Sequence, residues 1–156
     1  MGKPCFSHVD LPPDSAPGTS LNLSAEGETW SVFPVHFGNP HAVLMCDNPQ
    51  GMAQKYGALL SQHHLFPNRV NVNFCHVGSE TIELVVFERG VGLTMACGSG
   101  ACATALALVL AKERPRNQDI PIALPGGLLR IHIHEDDEVT MLGEAQLSFM
   151  GQTSVL

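Results

Sequence analysis

The sequence predicts an α+β fold: a predominantly antiparallel β-sheet wrapped barrel-like around one central apolar helix. Two observations carry this. Residues 98–112 bring together Ala101, Ala103, Ala105, Leu106, Ala107, Leu108, Val109, Leu110 and Ala111, a helix with hardly any polar face. Such a helix in a soluble protein must be surrounded by protein. Short β-rich runs dominate the rest of the chain, with turn signals between them.

Taken in order, residues 1–30 are rich in Pro, Gly, Ser and Asp, and predict an extended lead-in and a loop. Residues 30–36 alternate loosely as a strand, which Gly38-Asn39-Pro40-His41 closes as a tight turn. Residues 42–45 form a short apolar strand ending at Asp47-Asn48-Pro49. Met52, Tyr56, Leu59, Leu60 and Leu65 then fall at helical spacing, which predicts an amphipathic helix over 50–65, stopped before Phe66-Pro67. Residues 70–77 and 81–89 read as a hairpin around Gly78-Ser79-Glu80. Beyond the apolar helix, which Glu113-Arg114-Pro115 ends, strands are expected over 120–124, 129–134, 139–142 and 145–150. Pro125-Gly126-Gly127 is the turn between the first two.

Composition bounds the function. The 156 residues suit one domain or two small lobes, with 44% apolar and 15% charged residues. The net charge of −7 argues against nucleic acid or an anionic membrane as partner. No apolar run approaches the roughly 20 residues of a bilayer span. The opening Met1-Gly2-Lys3-Pro4-Cys5-Phe6 carries neither a signal-peptide core nor a myristoylation pattern. Cys5, Cys46, Cys75, Cys97 and Cys102 are odd in number and show no Cys-x-x-Cys pair, so neither a disulfide scaffold nor a structural zinc site is expected. A cytoplasmic protein follows.

Cys97 stands where an extended segment gives way to the apolar helix, before Gly98-Ser99-Gly100. A thiol at a helix N-terminus sits in a field that favours thiolate. The small residues beside it let a ligand reach the backbone N–H groups, which can grip a carboxylate. Cys102 falls inside the helix and reads as a packing residue. Glu88-Arg89-Gly90 precedes the cysteine turn, so Arg89 offers a carboxylate clamp and Glu88 an ammonium contact or a partner for a thiol–imidazole pair. His41 is a candidate proton partner for the thiol, and Asn39 and Asn71 are candidate substrate contacts. Turn chemistry or a solvated strand face would also account for these three. His132 and His134 share one strand face and His63-His64 are adjacent, but a solvated surface explains them and no metal is expected. No phosphate loop, dinucleotide fingerprint or Ser-His-Asp pattern occurs.

Five motifs occur in one order: Gly38-Asn39-Pro40-His41; Phe66-Pro67 with Val70-Asn71-Val72; Glu88-Arg89-Gly90-Val91-Gly92; Ala96-Cys97-Gly98-Ser99-Gly100-Ala101-Cys102-Ala103; and Pro125-Gly126-Gly127. This set resembles diaminopimelate epimerase, over nearly the whole chain. The resemblance implies one lobe of a two-lobe epimerase fold, each lobe offering a catalytic cysteine from a helix N-terminus. Only the C-terminal lobe is matched; the other lobe's Cys-Gly-Asn-Gly-like segment has no counterpart in this sequence. By resemblance, Cys97 is the second-lobe catalytic cysteine, and His41 and Glu88 assist the thiols. Asn39, Asn71, Glu88 and Arg89 contact the amino acid through side chains, and Gly98 and Ser99 grip its carboxylate through the backbone. Ser99 stands where Thr is usual and Leu93 where Glu is usual.

The implied reaction interconverts LL- and meso-diaminopimelate, a step toward lysine and peptidoglycan precursors, without a cofactor. One thiolate takes the α-proton and a thiol on the opposite face returns one. A chain with one such thiol is expected to need the enzyme's N-terminal lobe and to be inactive alone, and a homodimer is possible. Two other classes stay open: a module that binds an amino acid or a partner, and another isomerase of the same fold group, such as a proline racemase-like or phenazine-biosynthesis-like enzyme.

Overall fold

The computed structural model describes residues 1–152. Within them lie β1 (Leu21–Ala25), β2 (Glu28–His36), β3 (Pro40–Met45), α1 (Pro49–Ser61), β4 (Asn71–Val77), β5 (Ile82–Glu88), β6 (Gly92–Leu93), α2 (Gly98–Leu110), β7 (Asp119–Leu124), β8 (Gly127–Ile133) and β9 (Val139–Gly143). The strands form one sheet in the order β1-β2-β3-β4-β5-β7-β8-β9, with β6 against β5.

The mixed α+β class holds, and most pairings are antiparallel. Two are parallel, β3 with β4 and β5 with β7. Each joins strands that a helix separates in sequence, α1 in the first case and α2 in the second. A crossover helix returns the chain to the same end of the sheet, so the next strand runs in the same direction. The expected barrel-like closure is not found. The sheet is an open path with β1 and β9 at its ends. Beyond that path, the N-terminal segment makes isolated bridges, Gly2 to Val139 of β9 and Cys5 to His36 of β2.

Alternation along the strands separates two cores. On one side Ala42, Leu44, Val72, Phe74 and Val85 pack with Ala53, Tyr56 and Leu60 of α1. On the other, Val43, Cys75, Leu84 and Val86 pack with Ala101, Ala105, Leu106 and Leu108 of α2. Every residue of α2 from Gly100 to Val109 is buried. The helix touches β2, β3 and β4 as well as β7, β8 and β9. The same alternation brings His41, Asn71, Asn73 and Glu88 to the α2 side of β3, β4 and β5, in step with Val43, Cys75 and Val86.

Several local expectations are corrected. Residues 21–25, expected as loop, form β1, which pairs with β2 through a two-residue turn. Glu26 and Gly27 both take positive φ, 51° and 81°, the requirement of the hairpin turn that matches strand twist. Helix α1 begins at Pro49, with Asn48 Oδ1 accepting from the Gly51 N–H at 3.0 Å, and ends at Ser61 rather than 65. There Gln62 and His63 N–H groups tighten onto the Leu59 and Leu60 carbonyls, and the Ser61 hydroxyl donates to the Val70 carbonyl at 2.7 Å. That bond draws the helix end toward β4. Residues 145–150, expected as a strand, carry no regular structure. Among the described residues no helix is long and apolar enough to cross a membrane.

Gly57 shows how closely α1 lies on the sheet. A Cβ there would come within 2.7 Å of Cγ and 2.9 Å of Cβ of Phe87 on β5. Alanine raises helix propensity by about 1 kcal/mol, but the overlap includes the aromatic stem, which cannot swing clear. Gly57→Ala should therefore destabilise the fold by about 1–3 kcal/mol, read by urea unfolding. A second change, Phe87→Leu, should recover part of that loss.

Candidate active site

Cys97 is the N-cap of α2. Its extended backbone (φ −142°) turns Sγ back onto the first helical turn, where it accepts from the Gly100 N–H at 3.4 Å. A side chain at Gly100 would crowd this turn, since a Cβ would lie 3.1 Å from both Sγ and Val86 Cγ2, and either neighbour would have to give by a few tenths of an ångström. The N–H groups of Gly98 and Ser99 have no hydrogen-bond partner among the described residues. They open the helix, as a carboxylate grip requires.

The expectation that the helix end favours thiolate is overturned. Burial pushes the Cys97 thiol upward, and its residue is only 7% exposed. Hydrogen bonds from Ser99 and Gly100 pull the other way, and Glu88 adds to the rise through its charge and a hydrogen bond. Desolvation is the largest of these effects and sets the upward direction, which favours the thiol over the thiolate. Cys102 and Cys75, deeper in the core, are pushed by burial to about 12. They act as packing groups.

His41 is fully buried at the start of β3. Its Nε2 lies 3.2 Å from Ser99 Oγ and 2.9 Å from Asn39 Oδ1, and its Nδ1 is 3.1 Å from Asn73 Oδ1. Ser99 Oγ is in turn 3.6 Å from Cys97 Sγ. Imidazole and thiol therefore meet through a hydroxyl rather than directly. Burial lowers the His41 pKa to about 4, with the Asn73 bond opposing weakly, so the ring is neutral near pH 7.

Glu88 closes β5 and accepts from the Thr94 hydroxyl at 2.7 Å. Asn71 faces α2 from β4, 1% exposed; its Oδ1 accepts the Arg89 N–H at 2.9 Å, while its Nδ2 is buried without a partner among the described residues. The Arg89 guanidinium turns away toward the Asn68 carbonyl at 3.2 Å and the Asp10 carboxylate at 3.9 Å. So Cys97, Ser99 and His41 form one bonded cluster with Asn39, and Asn71 and Glu88 lie on the same side of the sheet. Arg89 joins the group by its backbone.

Asn73 and Thr104 escaped the sequence reading. Asn73 donates to the Gly100 carbonyl at 2.8 Å and to Thr104 Oγ1 at 3.0 Å. The available signal was the Asn-x-Asn alternation, which places Asn73 on the same face as Asn71. His132 pairs with Asp119 and His134 with Thr140, as solvated groups do. The ligand atoms of His8, Asp10 and His36 lie within 4.8 Å of one another and could hold a metal, but Asp10 already accepts from Asn68 at 2.7 Å and faces Arg89.

A family model described as diaminopimelate epimerase matches residues 33–148. Curated diaminopimelate epimerases from Brucella anthropi and Neisseria meningitidis are each 38% identical over 97% of this chain, which covers 53% and 56% of them. One from Synechocystis is 37% identical over 99% of the chain, which covers 57% of it. The chain thus spans about half the length of the curated relatives it matches. Among solved structures, a probable proline racemase from Agrobacterium radiobacter superposes with TM-score 0.58 at 10% identity, over 78% of this chain and 44% of that one. A hydroxyproline epimerase from Agrobacterium vitis gives 0.57 at 10% over the same shares. At that identity the likeness is one of fold.

The neutral His41 has a measurable consequence. Its folded pKa, about 4, lies below the ordinary 6.5, so between these values the unfolded chain binds a proton that the folded chain refuses. The stability this contributes is present above pH 6.5 and is lost as pH falls toward 4, by about 3 kcal/mol in all. In urea titrations, the slope of stability against pH across that window should fall by about one proton in His41→Gln.

Proposed function

The chain belongs to the diaminopimelate epimerase family, and we propose that it supplies one half of a cofactor-independent active site that inverts the α-carbon of diaminopimelate. The observation that carries this is the cluster at the α2 N-cap. One sulfur there faces unpaired N–H groups and is linked through Ser99 to a buried, neutral His41.

In this reading α2 is the central helix of one lobe, with the sheet curving around it. The helix's free N–H groups at Gly98 and Ser99 bind the α-carboxylate and stabilise the charge that builds as the α-proton leaves. Asn39, Asn71 and Glu88 hold the rest of the amino acid, and Arg89 joins them only if its guanidinium swings from Asn68 and Asp10 into the site. The unpaired Nδ2 of Asn71 supports this, since a buried donor without a partner costs about 1–3 kcal/mol. A substrate carbonyl or carboxylate oxygen would satisfy it.

A thiol that rests protonated is suited to return a proton to the carbanion. Once it has done so, the thiolate serves as base for the reverse direction. The opposite face needs a second thiol, which we assign to the N-terminal lobe of the longer relatives. The segment leading into Cys97 favours a partner surface, because Val91, Leu93 and Met95 are 74%, 43% and 64% exposed. Leu93, where the family commonly has Glu, makes that rim more apolar.

The test is complementation. LL-diaminopimelate is incubated in deuterated water with this chain, with a relative's N-terminal half, and with both. Exchange at the α-carbon is expected only in the mixture, and Cys97→Ser should reduce it roughly 10²–10⁴-fold. Robust turnover by the chain alone would refute the half-site reading. Binding of diaminopimelate, unchanged by Cys97→Ser, with no exchange in any mixture, would instead mark a binding module.

A further inference from the structure

We propose that Asn73 is a positioning residue that fixes His41 as its Nδ1–H tautomer, and that this tautomer makes the Ser99 hydroxyl a two-position switch for the Cys97 sulfur. The inference rests on the reading of Cys97 as an acid–base group.

The hydrogen-bond directions follow from one group that can only accept. The Gly100 carbonyl oxygen lies 2.8 Å from the Asn73 amide, so the NH2 end must face it, and Thr104 Oγ1 takes the second amide proton at 3.0 Å. That leaves Asn73 Oδ1 facing His41 Nδ1 at 3.1 Å. The oxygen accepts, so the ring proton is on Nδ1. A neutral ring has a single N–H, and His41 is neutral, so Nε2 presents a lone pair.

Two groups reach Nε2: Asn39 Oδ1 at 2.9 Å and the Ser99 hydroxyl at 3.2 Å. With the ring proton on Nδ1, the near-isosteric Asn39 amide must turn by 180° so that its NH2, in place of Oδ1, donates to the lone pair. While Cys97 is a thiol, Ser99 donates to the ring and its oxygen accepts the S–H at 3.6 Å. When the thiol protonates the substrate carbanion, the S–H bond breaks, the new C–H bond forms, and the electron pair stays on sulfur. The Ser99 O–H then rotates onto the thiolate and joins the Gly100 N–H at 3.4 Å. Asn39 keeps Nε2 satisfied meanwhile. In the reverse direction the thiolate takes the α-proton and the hydroxyl swings back. Both states of the sulfur are hydrogen-bonded without movement of a heavy atom, so little reorganisation accompanies proton transfer. Ser serves as well as the family's Thr, since the switch needs only the hydroxyl.

The tautomer is read directly from long-range ¹H–¹⁵N correlation spectra of the ¹⁵N-histidine-labelled chain, with His41 assigned through His41→Gln. A protonated Nδ1 and bare Nε2, unchanged from pH 8 to 5, is expected. Asn73→Ala should shift the proton toward Nε2. Iodoacetamide labelling of Cys97 against pH, resolved by peptide mapping, tests the switch. Its midpoint should rise by about one pH unit in Ser99→Ala, which removes a donor to the thiolate. It should fall in Asn73→Ala, where the ring no longer competes for the hydroxyl. An Nε2–H tautomer in the unaltered chain, or an unshifted midpoint in Ser99→Ala, overturns the proposal even if Asn73→Ala does not fold. The Nδ1–H tautomer with a shifted midpoint but no exchange in the complementation would retain the switch and remove the epimerase reading. Exchange with an Nε2–H tautomer would do the reverse.

Discussion

Helix α2 has no face to give to water. From Gly100 to Val109 each residue is buried, and six strands pack against the helix. A crossover helix ordinarily lies on one surface of a sheet. Here small side chains such as Ala101, Ala103, Ala105 and Ala107 let β2–β4 and β7–β9 approach the same helix. The N-terminal end, with Gly98 and Ser99 half-buried, remains open, and so does Leu110 at the other end. The polar chemistry of the chain collects where this constraint leaves space for it.

Burial then sets the electrostatics. A helix end alone would draw Cys97 toward thiolate and an exposed imidazole would titrate near neutrality. The same enclosure that stabilises the core reverses both tendencies, since it disfavours thiolate and imidazolium alike. Beside the Glu88 carboxylate, the cluster of Cys97, Ser99, His41, Asn39 and Asn73 rests as a network of neutral donors and acceptors. Its directionality comes from one carbonyl of the helix backbone, that of Gly100. Charge would enter with an anionic substrate, and the free N–H groups are placed to meet it.

Much of this was legible in the sequence for identifiable reasons. The α2 segment has no competing pattern, and the hairpin of β4 and β5 is marked by alternation and by Gly78-Ser79. Cys97, Ser99 and His41 were singled out by glycine-rich or turn contexts, and the fold brings them together. What escaped depended on partners distant in sequence. Strand β1 lies behind a turn, Glu26-Gly27, whose first residue is an uncommon choice for positive φ. The end of α1 is decided by the bond from Ser61 to Val70, beyond any local pattern. Closure of the sheet depended on whether its terminal strands met, and β1 and β9 instead remain at its two ends. The thiol's direction of shift required its burial to be known.

Asn73 is the most instructive omission. Its side chain touches neither the sulfur nor the open helix end, so a search for chemistry-bearing residues passes over it. Yet an amide that donates two bonds into α2 has a single orientation left, and a buried imidazole facing its oxygen has a single tautomer left. Each step removes a degree of freedom from the next, and in the proposed switch the Ser99 proton is left with two positions. A carboxylate at this position could not donate to the Gly100 carbonyl and would hold the imidazole by charge instead. The amide fixes the ring while leaving it neutral. That suits the proposed role, in which the sulfur passes between protonated and ionised forms and the imidazole favours neither by charge.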